Sequence, residues 1–151
     1  MLLSKVRKSN ILHYNTNVPI RREGDILILD TDGMKPIYVQ IAEWLESEIL
    51  HGNFKADEKV YSQYKLSDLY NINPATAAKG LTKLAEEGIL YDKRGIGKFV
   101  SPHAKQMIMD KRKNQTLKTL IEDLVREAGY LELSEEDVIR LVREAWKGEK
   151  G

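Results

Sequence analysis

The fold of this chain is decided by Asn73-Pro74-Ala75-Thr76-Ala77-Ala78-Lys79-Gly80-Leu81, followed by Gly88 and then by Lys93-Arg94-Gly95-Ile96-Gly97-Lys98-Phe99-Val100. Asn73 is a favoured N-cap residue, and Pro74 suits the first position of a helix, where a missing N–H costs nothing. Gly88 stands where helices commonly end in a left-handed residue. The pattern predicts a short capped helix and, after it, a hairpin with a glycine-rich tip.

The predicted helix has two different faces. An apolar stripe is formed at helical spacing by Ala77, Leu81, Leu84 and Ala85. The opposite face carries small residues, hydroxyls and cations: Ala75, Thr76, Lys79, Thr82 and Lys83. A face of this composition can approach a polyanion closely, although alone it could equally be an ordinary solvated surface.

The neighbouring segments favour the first interpretation. Ser62 can cap another short helix, whose apolar side is Leu66, Leu69 and Tyr70. A tight turn joins this helix to the one that begins at Asn73, which is the pattern of a helix-turn-helix. Downstream, strand-like residues on both sides of the turn at 94–97 predict a β-hairpin next to the helix pair.

An amphipathic helix is predicted before these elements, from Pro36 to Leu50, and Gly52 closes it. The order helix, helix, helix, hairpin predicts a mainly α fold with a small β-hairpin wing, a winged helix-turn-helix domain over residues 36–101. Residues 1–35 form an N-terminal extension with a short strand at Ile26–Leu29. In this extension Lys5, Arg7, Lys8, Arg21 and Arg22 could form a basic arm, or the segment could pack on its neighbour or stay disordered.

A two-helix tail is predicted over residues 102–151. Its first helix runs from Ala104 to Ala128 and ends at Gly129, and Ser134 caps the second. The apolar stripes consist of Leu117, Leu120, Ile121, Leu124 and Val125, then Val138, Leu141, Val142 and Trp146. Two helices of this size cannot bury their apolar sides alone. Pairing with the same segment of a second chain is favoured over packing within the chain, because a two-fold dimer would also space two recognition helices about one DNA turn apart.

The quoted segments, together with Pro36-Ile37-Tyr38-Val39-Gln40-Ile41-Ala42, resemble the DNA-binding domain of the GntR family of bacterial transcription regulators. The Asn73-Pro74 opening and the short tail resemble the YtrA-type subfamily. The resemblance implies a homodimer that binds an inverted-repeat operator in double-stranded DNA, usually as a repressor. The tail is too short for a separate ligand-binding domain, so a small-molecule effector would have to bind at the dimer interface, between tail and winged domain, or act through another protein.

The resemblance also assigns candidate DNA-binding residues, which are Ser62, Tyr64, Lys65, Asn73, Ala75, Thr76, Lys79, Lys83, Arg94, Gly95, Gly97 and Lys98. Several arginines that are common in the family are missing: Tyr64, Pro74 and Ala78 stand in their places, and Gly80 replaces an alanine. Arginine is the commonest base-reading residue, so the sequence predicts moderate affinity or an operator read more through A·T content and shape.

Charge allows a second interpretation. Residues 36–100 contain eight Lys and Arg against nine Asp and Glu, so any DNA-binding face must be local. A basic cluster on the predicted helix and wing supplies one, and it consists of Lys79, Lys83, Lys93, Arg94 and Lys98. The acids Glu43, Glu46, Glu48 and Asp57 fall outside it. The alternative function is a winged-helix module that binds protein partners without reading DNA sequence.

Other classes of protein are disfavoured. The chain has no cysteine, which fits a cytoplasmic protein, and its three histidines lack metal-ligand spacing. Asp30, Asp32 and Gly33 favour a turn over a calcium loop, because the remaining ligands are missing. No nucleotide-binding or nucleophile motif occurs, no apolar run approaches the roughly 20 residues of a membrane span, and no signal peptide is predicted. We expect no enzyme activity, no cofactor, no metal and no membrane partner.

Overall fold

The structure is a computed structural model that describes residues 29–150. The basic arm and most of the strand predicted at Ile26–Leu29 lie outside these residues. The elements are α1 (Ile37–Leu50), α2 (Gln63–Tyr70), α3 (Pro74–Glu86), β1 (Leu90–Lys93), β2 (Gly97–Val100), α4 (Ala104–Lys111), a π-helical segment (Arg112–Leu117), α5 (Lys118–Tyr130) and α6 (Glu135–Lys150). The chain divides after Asp110 into two compact units. The sequence placed the division after Ser101, but Ala104 and Ile108 belong to the core of the first unit.

Helix α1 is the central element of the first unit. Its apolar stripe lies in the core, where Ile41, Leu45 and Ile49 are buried and Ile37 is half-buried. The Trp44 ring lies 5.4 Å from that of Tyr70 and 6.3 Å from that of Tyr61. The helix is buried on more sides than an amphipathic helix would be, since Glu46 and Glu48 are each only 2% exposed. Part of the cover comes from residues 29–35, which the amide group of Gln40 binds through three hydrogen bonds of 2.8–2.9 Å.

The helix pair forms as the sequence predicts. The Ser62 hydroxyl accepts from the Lys65 N–H at 3.1 Å and starts α2. Asn71 adopts the left-handed conformation (φ 52°) and turns the chain toward α3. Leu66 is fully buried, but Leu69 is 46% exposed. The apolar side predicted for α2 is therefore only partly buried, since Tyr70 packs half-buried against the core while Leu69 points away from it.

Close approach of α1 and α3 depends on Gly80. A Cβ added there would lie 2.8 Å from the carbonyl oxygen of Tyr38 and 3.2 Å from Cγ2 of Ile41. Glycine in a helix usually costs roughly 1 kcal/mol relative to alanine. Here the missing side chain lets the two backbones meet, which explains a residue that appeared unfavourable in the sequence.

The wing has three paired segments. β1 and β2 are antiparallel, with Leu90 opposite Val100 and Lys93 opposite Gly97. The free edge of β2 pairs with the segment before α2: the Val60 N–H donates to the Lys98 carbonyl at 3.0 Å, and the Val100 N–H donates to Glu58 at 2.9 Å. The hairpin was predicted, but this third segment was not, because its partners are about 40 residues away along the chain.

The second unit contains α5 and α6. Helix α5 continues through Gly129 to Tyr130, so the predicted end at Gly129 is wrong. The chain reverses at Glu132 (φ 55°) instead. Ser134 starts α6 as predicted: its hydroxyl accepts from the Asp137 N–H at 3.2 Å, while the Ser134 N–H donates to the Asp137 carboxylate at 3.1 Å. Hydrogen bonds from Ser134, and then the charge of Arg140, lower the pKa of Asp137.

Candidate nucleic-acid interface

The outward face of α3 is small, polar and basic. Ala75 and Lys79 are exposed and Thr76 is half-buried, whereas Ala77, Leu81 and Leu84 are buried in the core. Residues 74–85 contain no acid. The Asn73 cap is formed, with Oδ1 accepting from the Ala75 N–H at 2.8 Å. The side-chain NH2 group of Asn73 is not used in the cap and can donate to another molecule.

Helix α2 contributes a second, smaller set. The Ser62 hydroxyl is engaged in its cap, while Tyr64 is 66% exposed and Lys65 is exposed on the same short helix. A phenolic hydroxyl and an ammonium group can both donate to phosphate oxygens. These side chains suit contacts to the DNA backbone.

The cations of α3 differ in how they are held. The Lys79 ammonium lies 4.1 Å from the centroid of the Tyr38 ring. Lys83, one turn later, pairs with Glu87 at 2.6 Å. The separation of basic and acidic residues is therefore less complete than the sequence predicts, because Glu87 lies beside the basic face.

The wing shows the same mixture of charges. Lys98 pairs with Asp92 at 2.7 Å across the two strands, and Lys93 lies 4.2 Å above the Phe99 ring. Arg94 is exposed at the turn, where Gly95 and Gly97 have φ values of 75° and 140°. Only glycine adopts such angles without strain, so the two glycines fix the shape of the tip that presents Arg94.

Lys59 is a basic residue near the wing that was not predicted. The alkyl chain of Lys59 covers Gly97, and a Cβ added to that glycine would lie 2.9 Å from its Cε. Lys59 is exposed and bridges to Phe99 of β2. A cation three positions before a residue that caps a helix gives no local signal, and only the long-range pairing brings Lys59 to the wing.

A hydrogen bond and a ring contact of Tyr91 stabilise the base of the wing. The Tyr91 hydroxyl donates to the Asp57 carboxylate at 2.7 Å, and the Tyr91 ring stacks on Phe99 at 5.8 Å. The hydrogen bond to the Asp57 carboxylate raises the pKa of Tyr91 above its usual value, because it stabilises the protonated phenol. This contact fixes the third segment of the wing to β1.

The second unit presents an apolar surface of its own. Ala128 is the only buried residue of α5 and α6. Of the predicted interface, Leu120 and Val138 are half-buried, and the exposed residues are Leu117, Ile121, Leu124, Val125, Leu141, Val142 and Trp146. The exposed fraction reaches 63% for Val125 and 65% for Trp146. The second unit also exposes four apolar or aromatic residues that were not predicted: Tyr130, Leu131, Leu133 and Ile139.

Between residues 29 and 150, no group of three or more His, Asp or Glu side chains could hold a metal ion. None of the helices described there is long and apolar enough to cross a membrane.

Residues 37–100, which span α1 to β2, match the family described as "Bacterial regulatory proteins, gntR family". A GntR family transcriptional regulator from Listeria monocytogenes has the same fold with a TM-score of 0.62 and 30% identity, over 75% of this chain and 97% of that one. The chain belongs to the GntR family.

Two curated relatives from Bacillus subtilis differ in how far the similarity extends. The HTH-type transcriptional repressor YtrA is 28% identical over 82% of this chain and 94% of its own length. The repressor NagR is 36% identical, but over only 44% of this chain and 27% of its own. The GntR resemblance stated from the sequence is confirmed, and the similarity to YtrA includes residues beyond the winged domain.

Proposed function

We propose that this GntR-family protein is a transcriptional repressor that acts in the cytoplasm as a homodimer on an inverted-repeat operator. The observation that carries the proposal is the outward face of α3, which presents Ala75, Thr76 and Lys79 and no acid along its first three turns. A helix in the major groove brings its outward face against base edges and phosphates, and a face with small residues, a cation and no acid suits that approach to a polyanion. Membership of a family of regulatory proteins, and the named repressors among the relatives, support the proposal.

Different elements take different parts in DNA binding. Thr76 and Lys79 lie on the part of α3 that would face base edges, and Ala75 is small enough to contact a thymine methyl group. Ser62, Tyr64 and Lys65 at the start of α2 would contact phosphates, and Arg94 at the wing tip would enter the minor groove. Few side chains here read guanine, so we expect an operator that is recognised largely through A·T content and shape.

The dimer is assigned to the tail. Helices α5 and α6 leave the apolar residues named above exposed at helical spacing, and soluble proteins commonly cover such apolar stripes with a partner. A second copy of the same surface is the simplest cover, because a two-fold interface is self-complementary. That dimer would also present two α3 helices to two half-sites.

A double charge reversal tests DNA binding. Lys79→Glu with Arg94→Glu places two acids where the proposal puts phosphates and bases, so retention of DNA from upstream of its own gene should be lost in a gel-shift assay. Lys105→Glu with Lys147→Glu makes the same change of charge at two exposed lysines of α4 and α6, and should reduce binding much less. Equal binding by the two double variants would contradict the proposal and favour a protein-binding winged helix.

A further inference from the structure

Tyr38 occupies the point where α1 and α3 come closest. It is the second residue of α1 and is half-buried. Its carbonyl oxygen is the atom that a Cβ on Gly80 would strike at 2.8 Å, so the backbone of Tyr38 is fixed against the middle of α3. The position of its ring beside that helix is therefore set by the packing of the two helices.

The Tyr38 ring holds the cation next to Gly80. The Lys79 ammonium lies 4.1 Å from the ring centroid, within the range of a cation–π interaction. Lysine has four rotatable bonds, and an unrestrained side chain loses much rotamer freedom when it binds a ligand. A ring that holds the ammonium before binding reduces that loss.

This arrangement differs from that of two other cations of the interface. Lys83 pairs with Glu87, and Lys98 pairs with Asp92, so a carboxylate offsets each positive charge. An aromatic ring restrains Lys79 without adding a negative charge. Lys79 therefore remains exposed and keeps its full attraction for a polyanion while its direction is restricted.

We infer that Tyr38 is a positioning residue for DNA binding, which acts by holding the Lys79 ammonium toward the groove. The inference rests on the proposed function, since Lys79 must contact DNA for its position to matter. It adds a residue of α1 to an interface otherwise built from α2, α3 and the wing.

A double-mutant cycle separates positioning from general structural support. The probe is a duplex from upstream of its own gene, and Kd is measured for the wild type, Tyr38→Leu, Lys79→Met and the double variant. Tyr38→Leu should weaken binding roughly two- to fivefold, the fold-change expected from losing an exposed cation–π contact. In the Lys79→Met background the same change should have no further effect. Tyr38→Phe, which keeps the ring, should bind as the wild type does.

The outcomes distinguish this inference from the proposed function. If Tyr38→Leu reduces DNA affinity equally in the wild-type and Lys79→Met backgrounds, the inference is overturned but the proposed function is not, because Tyr38 would then support the fold. Absence of binding by the wild-type chain would overturn the proposed function and the inference together. The contact itself can be tested by NMR on the free protein, with no DNA and no destabilising variant. The ε-methylene protons of Lys79 should show an upfield ring-current shift in the wild type and in Tyr38→Phe. An ordinary lysine shift there would also overturn the inference.

Discussion

At the scale of single residues, the fold depends on positions where a side chain is absent as much as on those where one is present. Gly80 lies in a helix without a positive φ, so its role is not conformational freedom. It keeps the surface of α3 flat where Tyr38 and Ile41 of α1 pack against it. The distance between these helices determines where Lys79 lies, and so a core contact affects the polar face.

Gly80→Ala should destabilise the protein. The added methyl meets a backbone oxygen that cannot move away easily, and overpacking of this kind costs about 1–3 kcal/mol, of which the better helix propensity of alanine returns about 1 kcal/mol. The measurement is the urea midpoint followed by circular dichroism. Gly129→Ala is the control, because it is helical and nothing lies within 4 Å of the added Cβ, so it should leave stability unchanged or raise it slightly. A similar rise of the urea midpoint in both variants would show that α1 and α3 are not closely packed at Gly80.

At the scale of elements, the wing contains an ion pair that would weaken the proposed DNA binding. Asp92 and Lys98 form an ion pair across β1 and β2, and Asp92 is well exposed, with 62% of its side-chain surface accessible. The Asp92 carboxylate would repel DNA phosphates, and it pairs with the Lys98 ammonium, which could otherwise bind them. An exposed pair of this kind contributes little to folding, typically 0.2–1 kcal/mol. Its main consequence is therefore for affinity.

Asp92→Asn should tighten duplex DNA binding by up to roughly fivefold, since it releases Lys98 and removes one negative charge from the wing, and the thermal midpoint should change little. Gel-shift titration at fixed salt measures the effect. Asp123→Asn breaks a comparable exposed pair with Arg126 in α5 and should leave DNA affinity unchanged. Unchanged or weaker binding by Asp92→Asn would place the wing outside the DNA interface.

The tail helices give the second prediction at this scale. Ile121→Asp with Val125→Asp puts two charges on residues of α5 that are 51% and 63% exposed in the single chain, so the fold of the monomer should survive. A dimer formed through this surface should dissociate to monomers in size-exclusion chromatography with light scattering. Thr119→Asp, an exposed change on the polar side of the same helix, should remain dimeric. Persistent dimers of the double variant would locate the interface elsewhere.

At the scale of the whole molecule, the sequence predicts what is encoded locally. The caps at Ser62 and Asn73 and the turn at Gly95 and Gly97 need only a few neighbouring residues, and all of them form as expected. The end of α5 was misplaced because a glycine near a helix end need not be left-handed. Long-range pairing was not predictable from local patterns, and it accounts for the position of Lys59 at the wing.

The charge balance of the site also depends on three-dimensional contacts. The sequence shows Lys83 and Lys98 as members of a basic cluster, but each is paired with a carboxylate. Glu46 and Glu48 contribute to the count of acids, yet they are buried and add little to the surface of the first unit. Net charge over residues 36–100 therefore describes the DNA-binding face poorly, and the contacts of individual cations describe it better.

The central claim is that the chain recognises a specific DNA sequence. It is tested most directly by titrating the purified full chain with DNA from upstream of its own gene, at several salt concentrations and against scrambled competitor. The account predicts binding that resists the competitor and weakens linearly in log Kd against log salt, with a slope of about 0.9 for each phosphate contact. Equal displacement by scrambled DNA, or no binding even at low salt, would contradict it.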